Sequence, residues 1–265
     1  MSKRLSIPKT YKLAIGGKFP RSESGRTYEV LSAKGDFLAN AALASRKDAR
    51  DAVVAARAAV KGWSGATAYN RGQVLYRIAE LLEGRRAQFV DEIVAQEGVS
   101  ASAAGAQVDE AIDRWVWYAG WCDKYAQVAG NANPVAGPYF NISVPEPTGI
   151  VAIVAPQDTA LLGLVSVIAP ALVTGNAVVV IASERHPLSA ISLAEVLATS
   201  DVPGASSMCS PARPPRSPRG WPRTPMSTRS TSPGRRRPTG STFRSPPPTP
   251  SSGCSRPSPT RPRCR

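Results

Sequence analysis

The sequence predicts an α/β fold: a helical N-terminal region leads into an incomplete parallel sheet, and a disordered tail follows. Three observations predict it. Apolar residues recur at three- and four-residue spacing through much of residues 49–128. Two short continuous apolar runs, Gly149 to Ala155 (GIVAIVA) and Ala177 to Ala182 (AVVVIA), alternate with apolar helical segments. Composition then breaks after Asp201. The chain carries 33 basic and 19 acidic residues, yet residues 203–265 hold 13 Arg, 16 of the 25 Pro and no acid. Residues 1–202 are nearly neutral, with 20 basic and 19 acidic residues. The net charge of +14 is therefore a property of the tail, not of a basic globular body.

The elements follow in order. Tyr11 to Ile15 and Thr27 to Leu31 alternate and are expected to pair as antiparallel strands, with a turn at Gly16-Gly17. Ser45 to Asp48 reads as a capping box ahead of a helix over Ala49 to Lys61, stopped by Gly62, with Trp63 anchoring the next loop. A longer helix is predicted over Asn70 to Gln96 and a third over Gln107 to Val128. Tyr139 to Val144 alternates as a strand. Gly149 to Ala155 is expected to be a strand covered on both faces. A helix over Ala160 to Val173, a second buried strand over Ala177 to Ala182 and a helix from Pro187 to Ser200 complete the start of a parallel, Rossmann-like sheet. No GxGxxG follows either buried strand.

Several functions are excluded or disfavoured by residue content. No run of about 18 apolar residues could span a membrane, and Met1 to Thr10 lacks the apolar core of a secretory signal. The body has one cysteine, Cys122, read as a packed core thiol; this usage fits a reducing cytoplasm. No cysteine or histidine spacing suggests a metal site. The one histidine, His186, precedes Pro187 and reads as a solvated loop residue. The tail lacks the apolar residues needed to offset the roughly 1–2 kcal/mol of backbone entropy per ordered residue. Its arginines would give salt-sensitive affinity for any polyanion, but no nucleic-acid-binding motif accompanies them, so no specific nucleic acid is expected.

The order of segments over residues 10–204 resembles the N-terminal half of the aldehyde dehydrogenase family. The resemblance is carried by IGGKF (Ile15 to Phe19), RGQVLYRIAELL (Arg71 to Leu82), PYFNISVPEPTGIVAIVAP (Pro138 to Pro156) and, most strongly, APALVTGNAVVVIASE (Ala169 to Glu184). It implies NAD(P)-dependent oxidation of a small aldehyde to an acid. It also implies association with copies of itself or with a full-length relative, and NAD or NADP contacts at Ala155, Pro156, Ser183 and Glu184. Glu184 reads equally as a ribose ligand or as a solvated carboxylate. Two positions depart from the family pattern. The family's oxyanion-donating Asn is replaced by Asp158, a carboxylate with no amide to donate. The family's ribose-contacting Lys is replaced by Ile181.

The family continues past Pro-Gly with a segment like Val-Val-Asn-Val-Leu-Thr-Gly. Shifted by one base, the codons of Ser206 to Ala212 permit that segment at seven successive positions. Residues 1–202 are thus expected to form a partial cofactor-binding domain, and 203–265 to be a disordered, out-of-frame tail. The family's general-base Glu and nucleophilic Cys motifs do not occur in 203–265, and Cys254 and Cys264 lack the family's surrounding residues. No catalytic residue is assigned, and the chain is expected to be a truncated, inactive member or a non-catalytic partner of a complete one.

Overall fold

The computed structural model describes residues 9–202 and 206–209. Strand β1 (Thr27–Leu31) pairs antiparallel with β2 (Phe37–Ala42), not with Tyr11 to Ile15 as expected. The five residues between them include Gly35 at φ +90°, which lets the chain reverse at once and gives β1 its nearest neighbour in sequence. Tyr11 makes an isolated parallel bridge to Ala41, and Ile15 pairs with Lys18 around Gly16-Gly17.

Helix α1 (Arg46–Gly65) opens on the expected capping box, Ser45 and Asp48 satisfying each other's backbone N–H. It runs through Gly62, because burial of Trp63 outweighs the roughly 1 kcal/mol helical cost of a glycine. The single long helix expected next is two, α2 (Ala68–Gly84) and α3 (Arg86–Glu97), divided at Arg85 where φ is −110° and ψ 12°. Each keeps its own apolar stripe, so the three- and four-residue periodicity alone did not reveal the break. Helix α4 (Ala101–Ala119) likewise ends at Gly120, and a short α5 (Tyr125–Ala129) follows. Of the strand expected at Tyr139 to Val144, two residues pair: β3 (Asn131–Ala132) with β4 (Ile142–Ser143).

The parallel sheet has the order β5 (Ile150–Val154), β6 (Ala177–Ile181), β7 (Ser206–Cys209). Helix α6 (Leu162–Val173) links the first two strands and α7 (Leu188–Thr199) leads from β6 toward β7. Both crossovers run the same way along the sheet, so with the usual right-handedness α6 and α7 share one face, and α1 packs across the three strands on the other. Strand β6 is covered on both faces, Ala177 to Val180 all being buried. Strand β5 is not, contrary to expectation: Ile153 is buried, but Ala152 and Val154 are exposed. The cause is position, since β5 pairs on one side only among the described residues.

β7 lies inside the segment expected to have no fold. Its backbone pairs in register with β6 from Val178↔Ser206 to Ile181↔Cys209. Ser207 is buried, and its hydroxyl accepts the Gly16 N–H at 3.3 Å. The remaining tail expectations fall on residues 210–265, outside the described residues.

Candidate functional site

Parallel sheets present their ligand-binding groups at the carboxyl ends of the strands, where the backbone ladder stops and the loops diverge. Here those ends are Ala155 to Ala160 after β5 and Ala182 to Pro187 after β6. Val154 and Ile181 are the last register partners, and the Ala155 N–H donates to the Ile181 carbonyl at 2.8 Å.

The β5 exit is held from beneath by the helical layer. Glu97, the last residue of α3, accepts the Ala160 N–H at 2.6 Å through one oxygen and the Gln107 side-chain amide of α4 at 2.8 Å through the other. Thr159 Oγ1 accepts the Gly163 N–H at 2.9 Å and so starts α6. A Cβ on Gly163 would stand 2.4 Å from that oxygen, which is why glycine follows the loop. The far end of α6 is clamped as firmly. Trp63 Nε1 donates to the Leu172 carbonyl at 3.0 Å and Arg71 Nε to the Val173 carbonyl at 3.3 Å. A guanidinium there also complements the negative end of the helix dipole.

The residues expected to touch a cofactor are brought to these two exits. Ala155 is buried and Pro156 half-buried, with no N–H to donate. Ser183 is buried, and its hydroxyl is fully engaged: it donates to Gln157 Oε1 at 3.0 Å and accepts the N–H groups of Arg185 (3.2 Å) and His186 (3.1 Å). Glu184 is exposed. Asp158 is exposed at the lip of the β5 exit, and Ile181 is 42% exposed at the end of β6. The groups that could grip a ribose hydroxyl are therefore few, and an apolar side chain stands where a cation was expected.

His186 is half-buried rather than solvated, lying with Gln96, Glu184 and Arg185 along a 470 Å³ cavity against β1. Burial pushes its imidazole below the ordinary histidine range; Glu97 and Asp158 oppose that shift and Arg185 adds to it. Cys122 is buried, as expected of a core thiol, and burial raises its thiol to about 11 against the opposing charge of Arg71. Among the described residues no cluster of histidine, cysteine or acidic side chains could hold a metal ion.

Sequence reading missed Gln157 and Glu97, which organise the site. Gln157 stood in the Pro-Gln-Asp-Thr-Ala segment without a role. Glu97 sits at a helix end, where a carboxylate normally faces water, and nothing in its spacing marks it.

The comparisons agree with this geometry. The sequence pattern of the aldehyde dehydrogenase family matches residues 19–209. Cytosolic 10-formyltetrahydrofolate dehydrogenase of Mus musculus is 32% identical over 213 residues, 76% of this chain and 23% of that protein. Aldehyde dehydrogenase, cytosolic 1, of Elephantulus edwardii is 32% identical over 197 residues, 72% of this chain and 39% of that one. Among solved structures, the NAD+ complex of aldehyde dehydrogenase from Bacillus cereus superposes with a TM-score of 0.73 at 26% identity, covering 77% of this chain and 42% of that chain. This chain thus spans less than half the length of these relatives. Parallel strand order, helical layer and sequence all point the same way, and the chain belongs to the aldehyde dehydrogenase family.

Proposed function

We propose that residues 10–202 are a divergent N-terminal portion of an NAD(P)-dependent aldehyde dehydrogenase, that an out-of-frame segment begins near residue 203, and that this chain does not by itself oxidise aldehydes. The observation that carries the reading is a boundary. Likeness to the family runs to residue 209, within a few residues of the point where acidic side chains cease and Arg and Pro take over. The chemistry of the site supports it. Aldehyde oxidation of this type needs a positioned thiolate and a donor for the oxyanion formed as the thiolate attacks. Cys122, the cysteine of the body, is buried with a raised pKa, the reverse of an activated nucleophile. A carboxylate, Asp158, stands where a donor is needed, and loss of one such donor costs roughly 10²–10³ in rate.

NAD or NADP is the family's cofactor class, but the residues of this chain do not fit it. Ser183 is committed internally, Pro156 has no donor, and Ile181 brings no charge. Two measurements test the proposal. The nucleotide sequence at codons 203–209, with the intact mass of the expressed chain, reads the frame directly. Absorbance at 340 nm with several aldehydes is expected to stay flat at high protein concentration; turnover abolished by changing Cys254 or Cys264 would overturn the reading.

A second reading, a non-catalytic partner of a complete relative or of another copy, is favoured by exposed apolar surface. Phe140 is 89% and Tyr139 77% exposed beside β4, and among the described residues β5 has an open edge. Light scattering at micromolar concentration is expected to show association; a stable monomer would count against it. A cytoplasmic location is proposed from the cysteine usage. Among the described residues no helix is long and apolar enough to cross a membrane.

A further inference from the structure

We propose that Gln157 is a built-in latch that closes the dinucleotide crevice of this chain, occupying with its own amide the backbone and hydroxyl groups that would otherwise meet ribose. The inference rests on the family reading above, but the geometry is this chain's own. Gln157 Nε2 donates to the Ala155 carbonyl at 2.9 Å, the first backbone acceptor beyond β5. Its Oε1 accepts both the Ser183 hydroxyl and the Glu184 N–H, each at 3.0 Å; these are the first polar groups beyond β6 and its Ala182 step. One side chain thus bridges the two strand exits with three hydrogen bonds. Its two ends match both kinds of group, the amide nitrogen satisfying an acceptor and the oxygen two donors. The Ser183 hydroxyl and the Glu184 N–H have no capacity left for a hydroxyl arriving from solvent, and the Ala155 carbonyl keeps a single lone pair beside the Gln157 amide.

The latch is set in rigid surroundings. Ala155 is fixed by its own N–H to Ile181, Ser183 by the two turn N–H groups of Arg185 and His186, and the loop beyond Gln157 by Glu97. The crevice cannot open by a small loop shift; the amide itself must swing away. A ligand therefore competes against three ordinary hydrogen bonds, which corresponds to a loss of roughly 10- to 1,000-fold in affinity. Among the described residues the strand order β5-β6-β7 never reverses, so no second wall supplies compensating contacts.

Equilibrium dialysis of the full chain against labelled NAD+ and NADP+ tests this, with circular dichroism confirming the fold of each variant. The wild-type chain is expected to bind weakly. Gln157→Ala, which frees all three groups, is expected to tighten NAD+ binding at least tenfold. Gln157→Met keeps the volume without a donor or a strong acceptor; it is expected to do the same and carries the test if the alanine variant unfolds. Wild-type binding as tight as that of the variants would overturn the latch. So would absence of binding in the folded variants when Ile181→Lys alone restores it, because the missing cation would then be the whole cause. No binding even by the Gln157→Met, Ile181→Lys double variant would overturn the latch and the dinucleotide crevice together.

Discussion

Strands β5 and β6 are neighbours of nearly the same composition, IVAIV and AVVVI, yet they live in different environments. Val179 of β6 is 8% exposed, whereas its register partner Ala152 in β5 is exposed and Val154, on the same face, is 69% exposed. The residues themselves do not set this difference. β6 has a strand on each side and packs against α1 and α6, while β5 has one partner strand among the described residues. An apolar run says that a strand can be buried; topology decides whether it is. In β5 the larger apolar side chains left uncovered are Val154 and, in part, Ile150 and Val151.

The largest expected effect breaks that contrast directly. Val180→Asp places a carboxylate at a fully buried position of the central strand and is expected to cost roughly 4 kcal/mol, enough to unfold a marginal domain. Val154→Asp, one strand away, is expected to change stability by less than about 0.5 kcal/mol and to reduce association. Urea unfolding measures the first quantity and light scattering the second. Equal destabilisation by the two would mean that β5 is covered in solution.

The clamp on α6 comes next. Arg71 is buried and reaches the Val173 carbonyl, and it also donates to the Ala66 carbonyl at 2.5 Å. Arg71→Met keeps the packing but leaves both acceptors short of a charged donor, for roughly 2–3 kcal/mol. It also removes the charge that opposes the burial of Cys122, so the thiol, already at about 11, rises further. Slower thiol modification at a given pH, together with lower stability, is the expected pair of results. Loss of stability with unchanged thiol reactivity would place Arg71 electrostatically apart from Cys122.

These cases show what was legible in the sequence and what was not. The parallel pair, the crossover helices and the capping box at Ser45 could be read because each has a local signature of period, apolar run or turn chemistry. The partner of β1 could not, because Phe37–Ala42 has weak alternation and is defined by the Gly35 turn beside it. The division between α2 and α3 could not, because the stripe continues across Arg85. At the site, Asp158 and Ile181 were visible as departures from a family pattern. Gln157 was not, because its partners Ala155, Ser183 and Glu184 come together only when two parallel strands lie in register.

The smallest loss of stability predicted for a buried group concerns the start of the helical layer, where the sequence was read correctly. Asp48 is buried, and burial alone favours the neutral form and raises a carboxyl pKa. Hydrogen bonds win instead. The Ser45 N–H and the Ser22 hydroxyl each donate to Oδ2 at 2.7 Å, the Glu23 N–H donates to Oδ1 at 3.1 Å, and the carboxyl is held below its ordinary value of 3.8. The folded state therefore binds a proton less readily than the unfolded state. The stabilisation is fully present above the unfolded value of 3.8 and is lost as pH falls through the lower folded value. Asp48→Asn retains one acceptor but not the charge, and is expected to cost about 1–2 kcal/mol at pH 7. Because the asparagine does not titrate, the gap between variant and wild type should narrow on acidification, and urea unfolding at pH 7, 5 and 3 measures it. A gap that stays constant down to pH 3 would mean that the Asp48 carboxylate contributes shape to the helix start and no charge.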